Sequence, residues 1–127
     1  MKKDYALKPA ISIDLKRDRI RIHKTALRTI GDPEYILLLV NPEERTLAIL
    51  RSDRSDLRAH RLPRVRFNDK QCFEITSKPL VRSLLNLCNE WHDNRLYRIY
   101  GESIPTEGVV QFNLAESIVA CETQCKI

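Results

Sequence analysis

The chain has 127 residues and a formal net charge of +5, with 43% hydrophobic and 31% charged residues. These proportions are typical of one globular domain large enough to bury a core, and they argue against disorder. The three glycines, Gly31, Gly101 and Gly108, are too few for a glycine-rich phosphate loop or a dinucleotide-binding fingerprint, and the longest apolar run, residues 36–40, is far shorter than the ~20 residues of a membrane-spanning helix.

The first predicted elements are short. Residues 1–9 lack apolar periodicity and are expected to form an arm; they also lack the apolar stretch of a signal peptide, so we expect a cytoplasmic protein with no membrane partner. Alternation with a period of two predicts strands over residues 10–15 and 19–22. A helix is expected over residues 24–30, with Gly31 as its left-handed cap.

A hairpin follows this helix. Residues 35–40 are apolar at every position except the first, which predicts a strand buried on both faces. Asn41, Pro42 and the two glutamates after them have the residue preferences of a type I turn. Residues 46–50 are the predicted partner strand.

The second half contains the strongest helical pattern. Ser77 is a typical N-cap residue, and the helix it begins is expected to end near His92. One face of this helix carries Leu80, Leu84, Leu87, Cys88 and Trp91. Strands are predicted over residues 64–67, 71–75, 96–100 and 109–112, and a last short helix over residues 114–120.

The element order suggests an internal repeat. Residues 10–50 run strand, strand, helix, strand, strand, and residues 64–113 follow the same order. We therefore predict a single α+β domain made of two pseudo-twofold ββαββ halves, with helices on one side of a mainly antiparallel sheet. Its parts are an arm (1–9), a first half (10–50), an arginine-rich connector (51–63) and a second half with a C-terminal tail (64–127).

Two resemblances concern DNA-binding families. Duplicated units of one helix and several antiparallel strands resemble one domain of a DNA sliding clamp. Residues 19–28, with the sequence RIRIHKTALR, resemble the strand-to-helix opening of AbrB-type swapped-hairpin regulators. Both resemblances imply DNA binding.

Positive charge is concentrated in the first 70 residues, which carry 17 Lys and Arg against 10 Asp and Glu. Such an asymmetry favours an anionic partner. Arginines in the connector recur at intervals of three or four residues, which on a helix would align them along one stripe. The alternative is a solvated connector in which Asp53 and Asp56 pair locally. The residues predicted to contact phosphates are the connector arginines and a second cluster: Arg51, Arg54, Arg58, Arg61, Arg64, Arg66, and Arg17, Arg19, Arg21, Lys24.

Metal binding and catalysis receive less support from the sequence. A zinc site is chemically feasible if the tail folds back onto the strong helix, with the ligand set Cys88, His92, Cys121 and Cys125. Apolar surroundings instead favour Cys72 and Cys88 as reduced core residues. Cys88 and His92 lack a third orienting group, so we expect neither an enzyme nor a cofactor.

The sequence thus predicts a non-enzymatic protein that binds nucleic acid, most simply duplex DNA, through its basic N-terminal half. Few aromatic residues lie in that half, so base stacking on single strands is less favoured. The alternative is a protein-interaction or assembly module, including a homo-oligomer, in which the arginines meet acidic protein surface.

Overall fold

The computed structural model describes residues 8–62 and 72–120. In chain order it contains nine strands and two α-helices over these residues: β1 (Ala10–Asp14), β2 (Arg19–His23), α1 (Lys24–Thr29), β3 (Tyr35–Asn41), β4 (Thr46–Ser52), β5 (His60–Arg61), β6 (Cys72–Thr76), α2 (Lys78–Leu87), β7 (Leu96–Ile104), β8 (Val109–Asn113) and β9 (Ile118–Ala120). Short 3₁₀ helices span Pro105–Glu107 and Leu114–Glu116.

The strands form one antiparallel sheet that curls into a half-barrel. Their order across the sheet is β5-β3-β4-β8-β7-β1-β2-β6, and β9 pairs with β7. The nine-residue strand β7 joins the two parts, because its first five residues pair with β1 and its last four with β8. The described pairings are all antiparallel.

The predicted α+β fold with two pseudo-twofold ββαββ halves is wrong. The hairpin β1-β2 and the hairpin β3-β4 both belong to the predicted first half, yet β7 and β8 lie between them in the sheet. Strands of the two halves pair with each other, β1 with β7 and β4 with β8, so neither half is a separate unit. With two short helices in the described part, the molecule is mostly sheet, and the clamp-like element order has no counterpart in the strand pairing.

The inner face of the sheet carries the core. Ile11 and Ile13 of β1 lie opposite Ile22 and Ile20 of β2, and the same row continues to Ile99 of β7. These side chains are fully buried, as are Leu47, Ile49, Val110 and Phe112 on the other half of the sheet. Helix α1 buries Ala26 and Leu27, and α2 buries Val81 and Leu84 in the same core.

The predicted caps and turns account for several helix ends. The Ser77 hydroxyl accepts a hydrogen bond from the Leu80 amide, 3.4 Å away, and thereby begins α2. Gly31 has a φ of 85°, the left-handed conformation predicted for it. The predicted helix end near His92 is wrong, because α2 ends at Leu87 and Cys88 leaves the helical conformation.

The predicted terminal helix over residues 114–120 is also wrong beyond its first turn. Asn113 accepts a hydrogen bond from the Ala115 amide, 3.0 Å away, and begins a 3₁₀ helix that ends at Glu116. The chain then forms β9, because Ile118 to Ala120 continue along the edge of β7 that β8 occupies farther on.

The connector is not helical where it is described. Residues 51–52 finish β4, residues 53–59 form turns, and residues 60–61 form β5. The helical stripe of arginines is therefore absent from residues 51–62. The predicted strand over residues 64–67 lies outside the described residues, as do most of the N-terminal arm and the C-terminal tail.

Candidate interaction surfaces

An apolar row crosses the outer face of the sheet. Leu37 of β3 lies opposite Leu50 of β4, Leu50 lies opposite Val109 of β8, and Val109 lies opposite Ile104 of β7. Opposite residues in a sheet point to the same face, so four neighbouring strands present apolar side chains together. Leu39 stands next to this row.

The row is open to solvent. Ile104 is 38% exposed and Leu39 is 40% exposed, while Leu37, Leu50 and Val109 are half-buried. The sequence predicted that residues 35–40 are buried on both faces, but within β3 only Ile36 is fully buried. Contiguous apolar side chains on the surface of a folded domain are typical of an interaction site.

Charged groups lie at both ends of this face. At the end where β3 begins, Arg54 and Arg61 are exposed, and at the other end the β3-β4 turn exposes Glu43 and Glu44. None of these four side chains forms an ion pair with another described residue. The face is thus apolar in its middle and acidic at the β3-β4 turn, while its other end carries Arg54 and Arg61 beside Glu34 and Asp53.

The edge of β3 is open along most of its length. On one side β3 pairs with β4 through all seven residues, whereas on the other it pairs with β5 only through Tyr35 and Ile36. Among the described residues, nothing pairs with the remaining stretch, Leu37 to Asn41. This stretch contains no charged residue that would discourage another strand from pairing with it.

The described connector arginines do not lie on one surface. Arg51 lies opposite Ile36, whose side chain is in the core, whereas Arg61 lies opposite Tyr35 and points the other way. The Arg51 side chain extends beside Gly31 and Gly108. Arg54 and Arg61 share an open cleft of about 450 Å³ with two acids; its lining is Glu34, Tyr35, Ser52, Asp53, Arg54 and Arg61.

Local acids partly neutralise the connector, as the alternative interpretation predicted for Asp56. The Arg58 guanidinium bonds both carboxylate oxygens of Asp56, each at 3.3 Å, and this contact lowers the pKa of Asp56. Asp53 instead accepts hydrogen bonds from the side chain and the amide of Ser55, which lower its pKa. Arg64 and Arg66 lie outside the described residues.

The second basic cluster is held in ion pairs on the outer face of β1, β2 and β6. Arg17 and Arg19 contact the Asp14 carboxylate at 3.1 and 3.3 Å, and Arg21 contacts Glu74 at 2.9 Å. Arg19 also reaches Glu74, at 3.4 Å. Arg19, Arg21 and Glu74 are half-buried and Asp14 is only 2% exposed, so these groups form a structural network across three strands. Lys24, the remaining predicted member, begins α1.

A histidine sits beside this network. His23 Nε2 and Ser12 Oγ share a hydrogen bond of 3.0 Å, and Ser12 is 1% exposed. Burial lowers the pKa of His23 to about 4, and the charges of Arg98 and Arg21 add to the effect. His23 is therefore neutral at physiological pH.

The structure places the described half of the zinc set as follows. Cys88 is buried at the end of α2, and His92 is exposed four residues later. Burial raises the pKa of the Cys88 thiol, which disfavours the thiolate that a metal ligand or nucleophile requires. Within residues 8–62 and 72–120, no three His, Cys, Asp or Glu side chains are grouped to hold a metal ion. Cys121 and Cys125 lie outside these residues.

The outer-face row was missed at the level of sequence. Val109 and Ile104 occur at strand ends in a segment whose pattern does not distinguish the two faces, and their alignment with Leu37 depends on which strands pair. The available signal for a second apolar surface was that β3 has apolar residues on both of its faces, since such a strand must be covered on both sides.

Neither a scan against models of known protein families nor searches of curated proteins and of solved structures found a match to this chain. No helix in the described part of the chain is long and apolar enough to cross a membrane.

Proposed function

We propose that this chain is a non-enzymatic protein-interaction module. Its binding surface is the outer face of β3, β4, β8 and β7. The observation that carries this proposal is the apolar row from Leu37 to Ile104, which is open to solvent across four paired strands.

The chemistry of this face defines the partner that fits it. A protein surface with an apolar centre would cover Leu50, Val109 and Ile104, and acidic side chains on the partner would meet Arg54 and Arg61. The apolar contact supplies affinity, and the charged ends fix the orientation of the partner. The protein would act in a reducing compartment such as the cytoplasm, where the buried Cys88 thiol stays reduced.

The test replaces two apolar side chains of the row. Ile104→Lys with Val109→Lys places two charges in the centre of the face, while the long stems of lysine keep the strands packed. The matched control is Val119→Lys, because Val119 is 53% exposed on β9, which pairs with the opposite end of β7. Proteins captured by the natural chain and by both variants are identified, and each candidate is purified and titrated against all three.

A partner that binds the natural chain and Val119→Lys with equal affinity, and the double variant about tenfold or more weakly, supports the proposal. Equal binding of the double variant would place the interaction elsewhere and reject this face.

A second candidate is the binding of nucleic acid, most simply duplex DNA. The observation in its favour is that Arg51, Arg54 and Arg61 are exposed and form no ion pair with another described residue. Against it, Arg58 and the cluster around Arg19 already have carboxylate partners, so fewer cations are available for phosphates than the composition suggests.

The second candidate is tested by fluorescence anisotropy of labelled duplexes over a salt series. Phosphate contacts predict a log–log slope of about −0.9 per phosphate. Arg54→Glu with Arg61→Glu should flatten this slope, whereas Lys78→Glu with Arg95→Glu, an equal change of charge at exposed positions elsewhere, should leave it unchanged. Failure to bind at low salt would exclude this function, since the electrostatic attraction is then strongest.

A further inference from the structure

We propose that two copies of this chain form a symmetric dimer by antiparallel pairing of their β3 strands across the open edge, with Leu39 on the twofold axis. This inference concerns the edge of β3 rather than the apolar row of the proposed function, and the two proposals share Arg54 and Arg61 at the end of β3.

The direction of the backbone groups identifies which residues can pair. The Leu62 amide donates to the Glu34 carbonyl over 2.8 Å, so the polar groups of Glu34 point towards the β5 side. Along a strand, alternate residues point their N–H and C=O groups to the same edge. Ile36, Leu38 and Val40 therefore point to this edge, and β5 occupies it only as far as Ile36.

Leu38 and Val40 thus direct two N–H and two C=O groups from an edge that no other described strand covers. Two of the side chains next to these groups are apolar and partly exposed, Leu37 and Leu39. An edge of this kind is a template for strand addition, and many proteins protect such edges with lysine, proline or a bulge. Here the protection begins only at Pro42, in the turn.

The same geometry fixes the register of the pair. With Leu39 on the axis, Leu38 of each copy lies opposite Val40 of the other, and all four groups of each copy are bonded. With Leu38 on the axis, Val40 would face Ile36, whose groups already face β5. With Val40 on the axis, Leu38 would face Pro42, which has no N–H to donate. Only the register with Leu39 on the axis therefore gives a hydrogen-bond partner to every N–H and C=O group of Leu38 and Val40.

In this arrangement the acidic turn of each copy approaches two arginines of the other copy, which share their cleft with Glu34 and Asp53. Antiparallel pairing brings the β3-β4 turn of one copy, with Glu43 and Glu44, to the end of the other copy that carries Arg54 and Arg61. These side chains are exposed and make no ion pair with the rest of the described chain. A twofold axis uses each complementary pair twice. The edge is self-complementary through Leu38 and Val40, and together with these opposite charges this points to a second copy of the chain as the partner.

Leu39 provides the first test. Two residues opposite each other on the axis form a non-hydrogen-bonded pair with Cα atoms about 4.5 Å apart, within the range of a disulfide. In a chain whose Cys72, Cys121 and Cys125 are replaced by serine, Leu39→Cys is expected to form a covalent dimer under mild oxidation. Val119→Cys in the same background is the control and should remain monomeric, because Val119 is exposed on β9, which pairs with β7 and not with β3.

The second test is the oligomeric state by sedimentation equilibrium from low micromolar to several hundred micromolar protein. Leu39→Lys places two like charges together on the axis and should weaken the dimer by about tenfold or more. Ile104→Lys with Val109→Lys, made on the same face but away from the axis, should leave the dimer intact. Circular dichroism confirms that each variant is folded.

Charge exchange tests the orientation. Glu43→Lys with Glu44→Lys should weaken the dimer, and adding Arg54→Glu with Arg61→Glu in the same chain should restore it, because each pair then carries reversed signs. Restoration supports the antiparallel arrangement. Further weakening would contradict it.

A monomeric natural chain over the whole concentration range, or dimerisation that Leu39→Lys does not affect, would overturn the dimer. Neither result would reject the proposed binding of another protein, because that proposal is tested with substitutions at Ile104 and Val109. Loss of binding in that test, with the dimer intact, would reject the proposed function alone.

Discussion

Buried polar side chains of β1 show how single residues shape the outer face of this sheet. The Asp14 carboxylate accepts hydrogen bonds from the amides of Lys16 and Arg17 at 3.1 and 3.2 Å, and it also contacts two guanidinium groups. These contacts satisfy a carboxylate that is almost wholly buried, as burial requires. The sequence predicted the polar turn after residue 15. It did not predict that a buried Asp14 stabilises this turn, because the alternating pattern of residues 10–15 placed Asp14 on an exposed face.

At the same scale, His23 is expected to make stability depend on pH. Its pKa of about 4 is below the unfolded value of about 6.5, so between these values the unfolded chain binds a proton that the folded chain does not. Stability should therefore decrease as pH falls through this window. We expect the natural chain to lose on the order of 2 kcal/mol more than His23→Gln between pH 7 and pH 4, measured by urea unfolding.

His92→Gln is the control for this measurement, because the His92 side chain is exposed at the surface. It should follow the natural chain at every pH. Parallel curves for His23→Gln and the natural chain would show that His23 is not held neutral by its surroundings.

Gly101 is a second position where one residue determines local structure. It is the first residue of β7 that pairs with β8 rather than with β1, and it lies opposite Phe112. A Cβ at this position would stand 2.6 Å from the Phe112 ring and 2.7 Å from the Gln111 carbonyl oxygen, both closer than van der Waals contact.

We therefore expect Gly101→Ala to lower the free energy of unfolding by roughly 2 kcal/mol, since the ring and the backbone must both shift. Urea unfolding measures the change, with Ser103→Ala on the same strand as the control. An alanine variant as stable as the natural chain would mean that β7 and β8 are farther apart at this crossing.

At the scale of elements, local residue preferences predicted much of the structure. The hairpin of β3 and β4 forms around Asn41, whose side chain accepts hydrogen bonds from the Glu43 and Glu44 amides at 3.1 and 3.2 Å, and this prediction is confirmed. The start of α2 at Ser77 is confirmed for the same reason, because a cap depends on neighbouring residues. Its end was not predictable from periodicity, since Cys88 and Trp91 remain buried after the helix has stopped.

Arg82 connects α2 to the rest of the molecule. Its guanidinium bonds Asp18 and the Leu15 carbonyl, each at 3.0 Å, and also reaches Asp93 beyond the helix. A lysine offers one point charge and cannot hold three partners in these directions.

Arg82→Lys is therefore expected to destabilise the fold only modestly, because the ion pairs are partly exposed. Thermal unfolding followed by circular dichroism measures it. Arg28→Lys, at an exposed position on α1, is the control. A variant with unchanged stability would show that the three contacts of Arg82 contribute little beyond what a lysine supplies.

At the scale of the whole molecule, sequence order did not determine which strands pair. The order strand, strand, helix, strand, strand occurs in residues 10–50 as predicted, yet β1 pairs with β7, more than eighty residues away in sequence, and β4 pairs with β8. Such pairings depend on packing across the sheet rather than on local preference. For the same reason the sequence did not reveal the ion pair of Arg21 with Glu74. The arginines of the basic half therefore appeared more available to phosphates than they are.

The candidate interaction surface also depends on which strands pair, and it is therefore visible only in the structure. A strand that is apolar on both faces indicated that both are covered. The sheet order shows instead that β3 lies near the edge of the sheet, with one face exposed and with Leu37 to Asn41 not paired on one side with any described strand. The face defines the proposed function, and the edge defines the proposed dimer.

The measurement that tests this account most directly is hydrogen exchange of the Leu38 and Val40 amides at several protein concentrations. If β3 pairs with a second copy, both amides should be protected at high concentration and exchange faster on dilution, while amides in the middle of β4 remain slow throughout. Rapid exchange at Leu38 and Val40 that does not depend on concentration would contradict the account, because the edge of β3 would then be open to solvent in solution.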